Sequence, residues 1–135
     1  MSTVLCDIVT PESLLYSEEV ALVAVPAAEG EIGLMNQTAP LMSTLRRGEM
    51  HVQPSEGGQP VRFALDGGYV EADGRKVVIL ATRAANLAEV DLEQTRANRI
   101  EAEKKLGAVG ADDPHRAFLN EELAWYSLLE TLLSK

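Results

Sequence analysis

The residues whose types and spacing could do chemistry are few. Glu29 and Glu31, two apart, can point the same way from an extended segment and so resemble a cation clamp. A solvated acidic loop explains them as well, and Glu18-Glu19 reads in the same way. Cys6, His51 and His115 are the nucleophilic and imidazole groups, but they are far apart in sequence, so a metal or a Cys-His pair would have to be assembled by folding alone. Their simpler reading is structural or solvent-facing. Arg46-Arg47 could steer an acidic partner, although two charges beside Gly48 fit a wet loop. There is no G-x-x-x-x-G-K-[ST] phosphate loop, no G-x-S-x-G elbow, no H-E-x-x-H and no paired-cysteine metal pattern. No enzymatic activity, cofactor or metal is indicated.

The elements that must position these residues fall into two compositions. Before residue 86 lie eight of the ten glycines, five of the six prolines and ten of the twelve valines, the mark of short strands and tight turns. Strands are expected at Val4–Val9, Val20–Val25, Leu41–Leu45, Glu49–Gln53, Val61–Leu65, Gly68–Ala72 and Lys76–Leu80. So many strands in so short a chain suggest a sandwich or barrel. Asp66-Gly67-Gly68 and Asp73-Gly74 read as hairpin turns that need positive φ, which makes sequential antiparallel pairing the expectation. Val20 to Val25 is apolar on both faces and reads as a central strand.

Beyond residue 86 the chain turns to Leu, Ala, Glu, Lys and Arg. Asp91 is a helix cap with Gln94 as its reciprocal partner, and the helix runs to a stop at Gly107. Leu92, Thr95, Arg99, Ala102 and Leu106 form a narrow seam suited to one neighbouring helix. A second helix, with Asp113 as cap and Pro114 at its first position, runs towards Lys135 and closes an antiparallel hairpin. Its Phe118, Leu119, Leu123, Trp125, Tyr126, Leu128, Leu129, Leu132 and Leu133 span roughly 220°, about twice a surface-helix stripe. The excess suits either the chain's own β domain or another subunit. Bulk properties narrow the partners: 135 residues at 46% hydrophobic content form one modest core or a small domain with an appendage. A net charge of −9 argues against nucleic acid and anionic membrane surfaces. One cysteine, no basic start and no apolar run near the ~20 residues of a membrane span read as a soluble protein of a reducing compartment.

The order of elements and certain residues together resemble the ε subunit family of bacterial F-type ATP synthases, the counterpart of the mitochondrial δ subunit. The carriers are Ile8-Val-Thr-Pro-Glu12 with Ser17-Glu-Glu-Val20; the G-E-I-G-L and A-P-L pieces of residues 30–41 with Thr44-Leu45 and Gly48; Gly67-Gly68-Tyr-Val-Glu71; Val77-Val-Ile-Leu-Ala81; and Glu89-Val-Asp91 leading to Ala102-Glu-Lys-Lys-Leu106. Each piece is short, but in this order they run through the whole chain. The resemblance implies an α+β protein: an N-terminal antiparallel β-sandwich of about ten strands over residues 1–86, then a C-terminal antiparallel two-helix hairpin over 87–135.

It also implies a non-catalytic rotor subunit on the cytoplasmic side of the bacterial membrane. Such a subunit binds γ and the proteolipid ring without inserting in the bilayer. Its hairpin can extend towards the α and β subunits and inhibit ATP hydrolysis. The family's ring-facing loop reads roughly G-x-L-G-(I/V)-(L/Y)-P-G-H-A-P-L. Glu31, Ala39, Pro40 and Leu41 match it, while Asn36, Gln37 and Thr38 stand where Pro, Gly and His are common. Thr38 offers a hydroxyl in place of an imidazole, so a pH-sensitive contact there is lost. An ATP motif of the family, (I/L)-D-x-x-R-A, aligns with Val90-Asp91-Leu-Glu-Gln94-Thr95, which has lost its arginine. Weak or absent ATP binding follows, with Asp91, Arg96 and Arg99 as the residues left to support it. The regulatory contacts would fall to Leu119, Leu123, Trp125, Tyr126, Leu129 and Leu133, although Glu121, Glu122 and Glu130 on that helix suit an acidic partner poorly. The alternative is a free-standing β-sandwich module, for example for carbohydrate, with a helical oligomerisation tail. An aromatic content of 4% disfavours it.

Overall fold

A computed structural model describes residues 2–135, and the chain divides into two compact units, 1–88 and 89–135. The first holds eight strands: β1 (Val4–Val9), β2 (Leu14–Val20), β3 (Leu22–Ala27), β4 (Gly30–Leu34), β5 (Leu41–Gln53), β6 (Val61–Ala72), β7 (Lys76–Ala81) and β8 (Ala84–Asn86). They join in the order β2-β1-β7-β6-β5-β3-β4, with β8 on β6.

Two long strands make this one sheet into a sandwich. The start of β6 pairs with β8, Phe63 opposite Asn86, and its end pairs with β7, Ala72 opposite Val77. Tyr16 of β2 meets Phe63 of β6 edge to face, ring centroids 5.2 Å apart, although β1 and β7 separate those strands in the sheet. The sheet therefore folds over on itself, as alternating patterns require when one face must be buried. The enclosed core joins Val4, Cys6 and Ile8 of β1 with Val23, Val25, Leu34, Met50, Val52, Phe63, Leu65, Val70, Val77 and Ile79.

The described residues form eight strands rather than about ten, and several turns differ from expectation. Asp66-Gly67-Gly68 is not a hairpin turn: it lies inside β6, where Gly67 and Gly68 have φ of +80° and +133°. The two glycines lie between the parts of β6 that pair with β8 and with β7, and the register runs through them without a slip, Leu45 opposite Gly68 and Arg47 opposite Asp66. Leu41–Leu45 and Glu49–Gln53 likewise merge into β5. Pairing is not wholly sequential and antiparallel, because β1 runs parallel to β7. The Val20–Val25 stretch breaks at Ala21, and its second part is the interior strand β3, with consecutive Val23, Ala24 and Val25 buried. Pro26, which has no N–H to donate, falls where the β3–β5 register slips. Asp73-Gly74 does form the β6–β7 turn, with Gly74 at φ +91°.

A 3-10 turn, Leu87–Glu89, spans the boundary between the units, and the second unit holds α1 (Leu92–Ala108) and α2 (Arg116–Leu133). Asp91 caps α1 by accepting from the N–H of Glu93 at 3.1 Å. Gln94 does not return the bond; its amide donates to Asn98 at 3.0 Å. The seam of α1 buries Thr95 and Ala102, and the Thr95 hydroxyl donates to the Asp91 carbonyl at 2.8 Å. Asp113 lies two residues before the cap of α2 and accepts from the His115 N–H at 2.8 Å. The helix itself begins at Arg116 rather than at Pro114.

Candidate functional site

The connection from β4 to β5, residues 35–40, contains most of the residues expected to meet a partner. Gly30 to Leu34 forms an edge strand that, among the described residues, pairs only with β3, and Glu31 lies exposed opposite Pro26. From Glu31 to Met35 the chain runs about 13 Å as extended strand, so Glu31 stands on the flank of the loop rather than in it. Asn36 and Thr38 are half-buried, Gln37, Ala39 and Pro40 are exposed, and Leu41 enters β5 opposite Ala72.

The loop is held by its polar groups. The Met35 N–H donates to the Thr38 hydroxyl oxygen at 2.8 Å, and the Thr38 N–H returns to the Met35 carbonyl at 3.1 Å. Thr38 therefore closes the turn with its side-chain oxygen, at the position where the resembled loop pattern commonly has histidine. The Asn36 amide donates to the Thr3 carbonyl at 2.9 Å. Gln37 donates its N–H to the Gly74 carbonyl at 2.7 Å. Gln37 is the one non-glycine residue with positive φ, +69°, among the described residues. That is the position at which the resembled loop pattern commonly has glycine, which gives the pattern a backbone reason. Met35 and Met42, 54% and 70% exposed, flank the loop as large apolar side chains.

A second surface was not singled out from sequence. Tyr69 and Leu80 are cross-strand partners on β6 and β7, both exposed, and with Val9, Thr10 and Pro11 they line an open groove of about 350 Å3. Alternation gave the signal: Val77, Ile79 and Ala81 point inwards, which sends Leu80 out.

In the hairpin the three residues left to support ATP are already engaged. Asp91 caps α1, and Glu130 of α2 takes both cations, lying 3.2 Å from Arg96 Nε and 3.0 Å from Arg99 Nε. Arg99 also pairs with Glu103, and this bond before all else raises its pKa. A phosphate would have to displace the Glu130 carboxylate. On α2, Leu119, Trp125, Leu129 and Leu132 are buried, and Leu123, Tyr126 and Leu133 half-buried. Phe118 stays 62% exposed at an apolar hollow with Lys105, Ala108, Val109 and His115.

The remaining reactive groups lie apart. Cys6 is in the core of β1, where burial, then Asp7, pushes its thiol up to about 12, far from a nucleophile. His51 sits on β5 opposite Arg62, and His115 belongs to the other unit. Glu29 and Glu31 are both exposed. No group of three or more His, Cys, Asp or Glu placed to hold a metal occurs among the described residues, nor does a helix long and apolar enough to cross a membrane.

The class defined by this geometry is a β-sandwich domain with a hydrogen-bonded loop at residues 35–40, followed by a helical hairpin. The model of the ATP synthase delta/epsilon chain beta-sandwich domain matches residues 3–87. An ATP synthase epsilon chain of Desulforamulus reducens is 38% identical over 112 residues, 82% of this chain and 83% of that one. One of Alkalilimnicola ehrlichii is 37% identical over 135 residues, covering 98% and 96%. Among solved structures, a chain of the Euglena gracilis mitochondrial ATP synthase F1/c-ring assembly superposes with a TM-score of 0.77 at 23% identity, over 98% of this chain and 82% of that one. A chain of the Tetrahymena thermophila central stalk and c-ring gives 0.63 at 15% identity, over 96% of each. The chain belongs to the ATP synthase delta/epsilon family.

Proposed function

We propose that this chain is a non-catalytic rotor subunit of an F-type ATP synthase, seated between γ and the proteolipid ring on the cytoplasmic side of the membrane, where it helps transmit ion-driven rotation. The observation that carries this reading is the near end-to-end match to relatives named ATP synthase epsilon chain, sandwich and hairpin together. Two surfaces support it. The loop 35–40, with Glu31 on its flank, is a stiff projection suited to the ring. The apolar Tyr69-Leu80 face suits a protein partner such as γ.

The hairpin is proposed as the regulatory part. Leu119, Leu123, Trp125, Tyr126, Leu129 and Leu133 can trade intramolecular packing for contacts with α and β when the helices open. Opening also breaks the Glu130 ion pairs, which frees Arg96 to meet an acidic partner, while Arg99 keeps its pair with Glu103 on the same helix. In the closed hairpin those same pairs occupy both cations, so ATP binding is weak at most. Hydrolysis by the synthase assembled with the full chain, against one assembled with residues 1–87, tests the regulatory role. Faster hydrolysis after truncation is expected; an unchanged rate discards inhibition and leaves rotor coupling standing.

A further inference from the structure

We propose that the β6–β7 turn at Asp73-Gly74 is the positioning element of the ring-facing loop, holding residues 35–40 in the one shape that engages the ring; this rests on the ring-facing reading above. Between Leu34 and Leu41 the chain belongs to no strand, so its shape must come from other bonds. The left-handed region is strained for an L residue, and Gln37 at φ +69° would leave it if free to relax. The bond from its N–H to the Gly74 carbonyl, 2.7 Å, opposes that relaxation.

The turn is a firm anchor. The Asp73 carboxylate accepts from the N–H groups of Arg75 and Lys76, both at 2.9 Å. The turn joins two core strands, Ala72 opposite Val77, and Ala72 is also the partner of Leu41, where the loop re-enters the sheet. Glycine at 74 makes the seat. A Cβ there would lie 3.3 Å from the Thr38 carbonyl oxygen and 3.6 Å from the Gln37 Cα, so any side chain pushes on the loop. Asn36, bonded to the Thr3 carbonyl, fixes the loop to a further part of the same unit.

The test uses the full chain and compares Gly74→Ala with Gly57→Ala. Gly57 has φ +74° and nothing within 4 Å of where a Cβ would stand, so its substitution brings similar backbone strain without touching the loop. The readouts are amide exchange at Gln37 and capture of the detergent-solubilised proteolipid ring in the presence of γ. Gly74→Ala should speed Gln37 exchange roughly tenfold and weaken capture several-fold, with both unchanged in Gly57→Ala. Unchanged Gln37 exchange in Gly74→Ala, or equal acceleration in Gly57→Ala, overturns the proposal. Met42→Glu, on the exposed start of β5, separates the two layers of inference. If it weakens capture while Gly74→Ala does not, the positioning role fails alone; if neither weakens capture, the ring-facing reading fails and the proposal with it.

Discussion

Replacing Gly68 by alanine should break the sandwich where β6 passes from β8 to β7. A Cβ at this position would lie 2.1 Å from the Leu80 carbonyl oxygen and 2.9 Å from the Ala81 Cα, both main-chain atoms of β7. No rotamer change relieves a backbone clash, so β7 must retreat by about an ångström, loosening the Gly68–Ala81 and Tyr69–Leu80 pairs. Overpacking of this kind costs roughly 1–3 kcal/mol. The backbone angle, φ +133°, adds roughly 1–3 kcal/mol of its own for any residue with a Cβ. Gly30 isolates the two contributions, since it shares φ +133° but has nothing within 4 Å of a Cβ. Gly30→Ala reports the angle alone, and Gly68→Ala the angle plus the clash. For a unit of this size about 2 kcal/mol corresponds to roughly 10 °C, so Gly68→Ala should melt about 10 °C below Gly30→Ala, followed by circular dichroism in the strand band. Equal melting temperatures would refute the close approach of β6 and β7 at Gly68.

Two further substitutions probe the hairpin and the turn. Glu130→Ala, which removes the partner shared by Arg96 and Arg99, should destabilise the hairpin by about 0.5–1 kcal/mol and abolish most of its salt dependence, read by amide exchange along α1 at low and high salt. Calorimetric titration of the unsubstituted chain should show no micromolar binding of ATP. The backbone bonds from Arg75, then Lys76, hold the Asp73 carboxyl below its ordinary value. A depressed carboxyl stabilises the fold above its unfolded pKa and loses that contribution as pH falls through the folded one. Asp73→Ala should therefore be less stable than the native chain in urea near pH 6, with the gap closing as acid protonates the Asp73 carboxyl.

How much of this could be read in the sequence depended on whether the cause was local. β1 and β7 announce themselves as short apolar runs rich in Val and Ile, and Asp91 by its place before a helix. The glycines of β6 did not, because Asp-Gly-Gly has the same chemistry in a hairpin turn and inside a continuous strand. Only the pairing of Gly68 with both Leu45 and Ala81 decides between them. β2 and β4 were missed as strands for a related reason: edge strands carry polar residues such as Ser17, Glu18, Glu19 and Glu31 on their wet sides. The expected capping box failed because Gln94 found Asn98 one turn on. At the loop, residue types showed exposure and a departure from the family pattern. The inward use of the Thr38 oxygen and the support from Gly74 required the fold, since Gly74 is distant in sequence.

The central claim is membership of the rotor, and capture of γ by the affinity-tagged full chain from detergent-solubilised membranes tests it most directly. Rotor membership requires γ and the proteolipid ring to be recovered in fixed stoichiometry with the chain, and Tyr69→Glu on the exposed β6–β7 face to reduce the recovery of γ. Recovery of the chain alone, or as a self-associated oligomer without γ, would contradict it and return the chain to the class of free-standing β-sandwich modules.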